Sequence, residues 1–180
     1  MKKIDVFVDT ETTGFGHVAN PQREDAIVEL GIAYRFRGKI EKIGWVCNPG
    51  KRFFENGRAA QAFSVNNISL DDIVAAPSDK VISKTAKTLL DSLGNVVLHS
   101  YNIPFDKPFL EKKPWNFGKY QWGKDVMDLA HDFFDLPQDY KIGLKRTLER
   151  LRIVPIGEPH RAATDAVSAM MAYEMILSLR

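Results

Sequence analysis

Two carboxylates two residues apart, Asp9 and Glu11, directly follow the apolar run Ile4–Val8. Residues at positions i and i+2 of a β-strand point to the same face, so both carboxylates are expected on one side of a sheet. Like charges near a core are costly unless a cation neutralises them. Oxygen ligands favour Mg²⁺ or Mn²⁺. A solvated turn would also explain a bare Asp-x-Glu pair, but the Thr12-Thr13-Gly14 that follows favours close approach of the backbone to a ligand.

A second polar group follows a later apolar run, Asn95–Leu98, and comprises Asn102, Phe105 and Asp106. Asp106 could supply a third carboxylate near a helix N-terminus, where a negative charge is tolerated. An ordinary helix cap with a core phenylalanine is the alternative interpretation. His99 ends the same run, and we interpret it as a semi-buried histidine with satisfied hydrogen bonds.

A third group pairs His160 with Asp165, just before and within the predicted last helix. Histidine is the side chain best suited to accept a proton near neutral pH, so His160 is a candidate general base. Asp165 could face the same site as the other carboxylates. The alternative is a loop histidine followed by an aspartate that favours the helix dipole.

The elements that must position these groups alternate in an α/β pattern. Strands are predicted over Ile4–Val8, Ala26–Phe36, Lys39–Cys47 and Asn95–Leu98, with a hairpin at Arg37-Gly38-Lys39. Loops are predicted around Gly14, Gly16, Asn20 and Pro21, and over Asn48–Arg58. The sequence therefore predicts one sheet within a single domain spanning residues 1–180.

Helices are predicted over Ser78–Leu93, Pro104–Lys112, Asp128–Phe134, Gly143–Leu151 and Arg161–Leu179. Ser78 and Gly94 fit the start and end of the first, whose apolar face comprises Ile82, Ala86, Leu89, Leu90 and Leu93. The inner stripe predicted for the last helix comprises Ala163, Val167, Met170, Tyr173 and Leu177.

Composition sets broader limits on the class of protein. Hydrophobic residues make up 44% of the 180, and the formal net charge of +2 permits a polyanionic partner without requiring one. The lone cysteine, Cys47, excludes an internal disulfide and is expected to be a small buried side chain. Because no signal-peptide core or 18-residue apolar span occurs, we expect a cytoplasmic protein with no membrane partner.

The three groups occur in the order DTETTG, NxxFD and HxxxxD. In this order and spacing they resemble the DEDDh family of 3′–5′ exonucleases, which includes the proofreading subunit of bacterial replicative DNA polymerase. The resemblance covers nearly the whole chain, and FSVNNISLDDI (63–73) lies where the family carries a similar segment. Two positions depart from the common pattern: Tyr101 replaces a frequent histidine and Phe15 a frequent leucine. Residues 51–61 have no recognised counterpart.

The resemblance implies a ribonuclease H-like fold, a mixed sheet flanked by helices. It also implies two ions of Mg²⁺ or Mn²⁺ held by Asp9, Glu11, Asp106 and Asp165. We hypothesise that Asp9 lies between both ions, that Glu11 and Asp165 complete one site, and that Asp106 supports the other. His160 would deprotonate the attacking water.

Recognition of a nucleic-acid end is a further expectation from the resemblance. The backbone near Thr12 would contact the terminal sugar, Phe15 would stack on the last base, and Asn102 would help line the cleft. A loop aromatic packed on the core is the alternative for Phe15. The segment Glu111–Lys124 mixes lysines with aromatic residues, which suits single-stranded nucleic acid, although we favour a connecting loop with buried aromatics.

The expected partner is nucleic acid with a free 3′ end. Threonine at position 12, where oligoribonuclease-type relatives usually carry methionine, favours DNA over RNA. An exoribonuclease of the same superfamily, an endonuclease with this fold and a non-catalytic nucleic-acid-binding module remain as alternatives. The sequence leaves open a polymerase or repair complex as partner and the oligomeric state.

Overall fold

The computed structural model describes residues 3–15, 24–55, 59–158 and 160–180. Its mixed sheet comprises β1 (Ile4–Thr12), β2 (Ile27–Phe36), β3 (Lys39–Val46), β4 (Val96–His99) and β5 (Gln121–Trp122). The strand order is β3-β2-β1-β4-β5. β2 is antiparallel to both β1 and β3, whereas β4 runs parallel to β1 and to β5. The first apolar run is therefore the central strand.

The helices are α1 (Ala60–Asn66), α2 (Leu70–Ala75), α3 (Asp79–Leu93), α4 (Ile103–Glu111), α5 (Val126–Phe133), α6 (Leu144–Leu151) and α7 (Ala162–Ser178). They cover both faces of the sheet. Val6 and Val8 of β1 belong to a core with residues of α3 and α4. Phe7, which points the other way, belongs to a second core with residues of α6 and α7. This arrangement confirms the predicted ribonuclease H-like mixed sheet flanked by helices in a single domain.

The predicted ends of several elements need correction. β1 continues past Val8 to Thr12, because these polar residues still pair with β2 and place Glu11 opposite Glu29. The hairpin between β2 and β3 is present, and both Arg37 and Gly38 have positive φ angles, 49° and 80°. The other predicted elements are found with ends shifted by a few residues at most.

Some elements were missed. Residues 60–75 form α1 and α2, and Ser69 begins α2 by accepting a hydrogen bond from the Asp72 backbone N–H. The prediction of a plain loop after β3 is wrong for 51–53, which form a 3₁₀ turn. Phe53 packs there in a small third core with Val28 and Ile73. The predicted loop residues 16–23 and 56–58 lie outside the described residues.

The predicted inner stripe of α7 is also only partly right. Val167 and Met170 are buried, but Leu177 is 43% exposed and Ile176 is fully buried instead. The helix packs on β1 and β2 with one side and on α5 and α6 with another. Because little of its surface faces solvent before the last turn, a single stripe does not describe it.

Two expectations about the whole chain can be compared with the structure. Cys47 is fully buried, and burial raises the pKa of its thiol. Across the described ranges, none of the helices combines the length and the apolar character needed to cross a bilayer.

Gly31 of β2 lets the start of α7 lie directly on the sheet. A Cβ at this position would come within 2.1 Å of the Ala162 carbonyl carbon and oxygen. We expect Gly31→Ala to push α7 away from the sheet. The free energy of unfolding should fall by at least the usual cost of overpacking, which is about 1–3 kcal/mol. Urea unfolding measures this change.

Gly44→Ala is the matched control on the neighbouring strand. Its Cβ would lie 3.1 Å from the Ala163 Cβ and 3.5 Å from Glu29 Oε1, and neither distance is as short as at Gly31, so a smaller loss is expected. Equal stability of the two variants would contradict the close packing of α7 on β2.

Candidate active site

Three carboxylates from two elements converge at one end of β1. Asp9 and Glu11 project from the same face of this strand, and Asp165 comes from the first turn of α7. Their carboxylate oxygens lie within 4.8 Å of one another. The predicted i, i+2 geometry on β1 is thus present, and the close packing of α7 on β2 brings Asp165 to it.

Asp106 lines the same cavity but stands outside this group of three. It lies in the first turn of α4, is 3% exposed, and its Oδ1 accepts a hydrogen bond of 2.7 Å from the Thr10 hydroxyl. Thr10 points to the opposite face of β1 from Asp9, which places this carboxylate at the edge of the site. Burial raises the pKa of Asp106 to about 7, although the bond from Thr10 opposes the shift.

For the other carboxylates, repulsion between their negative charges adds to burial in raising the pKa. Burial raises the pKa of Asp9 well above its ordinary value of 3.8, and the charges of Asp106 and Asp165 raise it further. Burial, followed by the charge of Asp165, raises the pKa of Glu11 to about 8. Several carboxyl groups held together in this way resist ionisation unless a cation neutralises them. The donor set therefore fits a divalent metal ion.

His160 lies beside Asp165 at the cavity wall. It is exposed and has a φ angle of +57°, in the left-handed region. Burial raises the pKa of Asp165 to about 6, and the charge and the backbone N–H of His160 partly offset that rise. The structure thus places the predicted histidine next to the predicted fourth carboxylate.

The cavity in front of these groups has a volume of about 800 Å³. Its wall includes apolar and aromatic side chains together with Asn102. Thr12 is not among its lining residues, and its hydroxyl donates to the Gly14 carbonyl at 2.6 Å. Phe15 is 66% exposed, so it is not packed on the core. Of the three residues predicted to contact the nucleic acid, Asn102 thus lies in the cavity wall, whereas Thr12 and Phe15 do not line it.

His99 is remote from this site, as expected from its sequence context. It is 2% exposed and stacks on Phe7 with ring centroids 5.0 Å apart. Its ring nitrogens lie 3.1 Å from the Lys124 carbonyl and 3.1 Å from an Asp5 carboxylate oxygen. It is more deeply buried than predicted because β4 extends to include it.

The segment Glu111–Lys124 only partly fits the favoured interpretation of a connecting loop with buried aromatics, because Gln121–Trp122 form the edge strand β5. Trp115 and Phe117 are buried in the main core. Lys119 contacts both Asp91 carboxylate oxygens at 2.7 Å. Tyr120 and Trp122 of the same segment are partly buried and pack against this core.

Two residues at the site were missed in the sequence. Glu29 of β2 is almost fully buried. Arg161, the residue after His160, forms a bidentate ion pair with it. The signal was a glutamate inside the otherwise apolar run AIVELGIA. A buried charge in a central strand requires a partner of opposite charge. In the sequence, the other charged motifs are the places to look for that partner.

Comparisons with known proteins agree with this geometry. The family model RNase T, described as "Exonuclease", matches residues 6–173. No protein of curated function matches the sequence significantly.

Solved structures share the fold at low sequence identity. The nuclease domain of 3′hExo, a DEDDh family member bound to rAMP, is 17% identical with a TM-score of 0.71, covering 97% of this chain and 92% of that one. E. coli Exonuclease I in complex with a dT13 oligonucleotide is 13% identical with a TM-score of 0.74, covering 99% and 41%. A full-length 3′-exonuclease is 18% identical with a TM-score of 0.70, covering 97% and 60%. The chain thus spans less than two thirds of the length of each of the last two proteins.

Proposed function

Because this chain belongs to the exonuclease family described by the RNase T model, we propose that it removes nucleoside monophosphates from the 3′ end of DNA, using two Mg²⁺ or Mn²⁺ ions. The observation that carries the proposal is the convergence of Asp9, Glu11 and Asp165 within 4.8 Å, at the wall of a cavity that also holds Asp106 and His160. Carboxylates clustered in this way are suited to divalent cations and phosphate-ester chemistry.

The four carboxylates would divide between the two ions. Asp9, Glu11 and Asp165 are close enough together to ligate one ion, whereas Asp106 at the edge would support the other. When bound, the ions would offset the negative charge that develops on the phosphate and would lower the pKa of a water molecule. The hydrogen bond from Thr10 would hold the Asp106 carboxylate in place.

His160 would accept the proton of the attacking water. Its exposed position at the cavity wall allows the ring to reach solvent and a bound phosphodiester alike. Asp165, five residues further on, would hold the charged ring in place during proton transfer.

The remaining surface of the cavity suits a terminal nucleotide. Its mostly apolar wall can pack against base and sugar, and Asn102 offers an amide for hydrogen bonding. Exposed Phe15 would stack on the last base, and the backbone at Thr12 would contact the sugar. Stacking accepts any base, so little sequence preference is expected.

The proposal of DNA over RNA depends on Thr12, a small residue at the strand end. The similar structures were solved with both kinds of ligand, rAMP in one and a dT13 oligonucleotide in another. The test is a side-by-side digestion of 5′-labelled DNA and RNA of one sequence with Mg²⁺. We expect release from DNA to be faster by ~10-fold or more, which is about 1.4 kcal/mol in activation free energy. Equal digestion would contradict the preference for DNA, and faster digestion of RNA would make RNA the favoured substrate.

A further inference from the structure

The ion pair between Arg161 and Glu29 lies directly beside the proposed general base. Arg161 Nε lies 3.1 Å from both Glu29 carboxylate oxygens, and its terminal nitrogen is 2.8 Å from Oε1. The Glu29 side chain is 3% exposed and that of Arg161 39%. A planar guanidinium held at two points has little freedom to move.

Glu29 connects three parts of the site. It lies on β2 directly opposite Glu11 of β1. Its Oε2 also accepts a hydrogen bond of 3.1 Å from the backbone N–H of Ala162, the first residue of α7. The start of the helix that carries Asp165 is therefore fixed to the strand next to the carboxylate strand.

His160 needs such an anchor because it lies outside the helix. It precedes Arg161 directly, is exposed, and has a positive φ angle. Ahead of it, Lys42 donates to the Ile156 carbonyl at 2.9 Å, which ties that segment to β3. Among the described residues, Arg161 is thus a side chain next to His160 that links this segment to the sheet.

We propose that Arg161 and Glu29 are positioning residues that hold His160 within reach of the attacking water. This inference rests on the proposed role of His160 as general base. A shift of about 1 Å in a catalytic group costs on the order of 100-fold in rate. The pair would thus act on the chemical step, and metal binding would stay with the carboxylates.

A second arginine–glutamate pair offers a matched control. Arg35 and Glu174 also join β2 to α7 through two contacts, of 2.7 and 2.6 Å, but near the far end of the helix. Arg35→Gln removes the same kind of strand-to-helix link away from the cavity. Its kcat is expected to stay within about twofold of the parent enzyme.

The test is a double-mutant cycle with His160. We expect Arg161→Gln to lower kcat by ~10- to 100-fold, with KM and the Mg²⁺ concentration for half-maximal activity nearly unchanged. Arg161→Lys keeps the charge but contacts at one point, so it should recover part of the loss. When His160 is already alanine, Arg161→Gln should cost no more than about twofold further.

If the two substitutions acted independently, the loss of kcat in the double variant would be the product of the two single losses. That result would overturn the proposal. So would a changed Mg²⁺ requirement in Arg161→Gln, or an equal loss of kcat in Arg35→Gln. If Arg161→Gln fails to fold, Glu29→Gln replaces it in the cycle, because a glutamine oxygen can still accept from Ala162. Full activity of His160→Ala alone would refute the base assignment itself, a result distinguishable from failure of the positioning pair.

Discussion

Asp9→Asn is expected to lower the exonuclease rate by ~10³-fold or more. Burial, and then repulsion from Asp106, Asp165 and Glu11, raises the pKa of Asp9. Asparagine keeps the shape but removes a negative charge that would hold the metal. Charge stabilisation by bound metal contributes several kcal/mol, and each 1.36 kcal/mol corresponds to about tenfold in rate. Release of labelled mononucleotide at saturating Mg²⁺ measures the loss.

The same variant should be more stable than the parent protein when metal is absent. A carboxyl whose pKa is higher in the folded chain than its ordinary 3.8 weakens the fold at higher pH. This cost is absent below pH ~4 and grows as pH rises toward the folded-state pKa. At pH 8 without metal, Asp9→Asn should therefore melt higher, by roughly 2–4 °C for each kcal/mol recovered. Added Mg²⁺ should stabilise the parent protein more than the variant.

Asp5→Asn provides the control on the same strand. Asp5 is half exposed and pairs with His99, away from the cavity. Its replacement should leave activity and the Mg²⁺-induced rise in melting temperature unchanged. Full activity of Asp9→Asn, or a lower melting temperature without metal at pH 8, would contradict the account of a repulsive carboxylate site that a cation completes.

His160→Ala is expected to reduce kcat by ~10²- to 10⁴-fold, the usual contribution of a positioned general base. Metal binding should persist, because the carboxylates remain in place. Two measurements check this: single-turnover digestion for the chemical step, and the Mg²⁺-dependent rise in melting temperature for the site.

His131→Gln is the matched control for this substitution. His131 lies on α5, where Nε2 is 2.9 Å from the Pro137 carbonyl, and it does not line the cavity. The control should keep the parent rate. A His160 variant with unchanged kcat, or one that no longer responds to Mg²⁺, would rule out its role as a base acting beside an intact metal site.

The sequence motifs identified carboxylates that converge in the structure. The hydrophobic pattern was a poorer guide to the residues at which strands and helices begin and end. The apolar run of β1 stops at Val8, yet the strand continues through Asp9 and Glu11 because β2 supplies hydrogen-bonding partners. Backbone pairing with a distant strand leaves no local signal. The side-chain alternation that places both carboxylates on one face was predictable, since it depends only on strand geometry.

Long-range contacts explain what the sequence did not show. Asp106 is held at the edge of the site by Thr10, 96 residues away. The partner of buried Glu29 is Arg161, 132 residues away. Neither pairing follows from spacing, although the glutamate within an apolar strand was a visible anomaly. The capping pair Ser69 and Asp72, by contrast, was a local signal that could have located α2.

Time-resolved digestion of a 5′-labelled single-stranded oligonucleotide, with Mg²⁺ and then with EDTA, tests the central claim most directly. A metal-dependent 3′–5′ exonuclease should shorten the labelled strand one nucleotide at a time, release mononucleotides, stop on addition of EDTA and spare a strand whose 3′ end is blocked. Internal fragments, release of labelled 5′ nucleotide at the outset, or digestion that continues in EDTA would contradict the account.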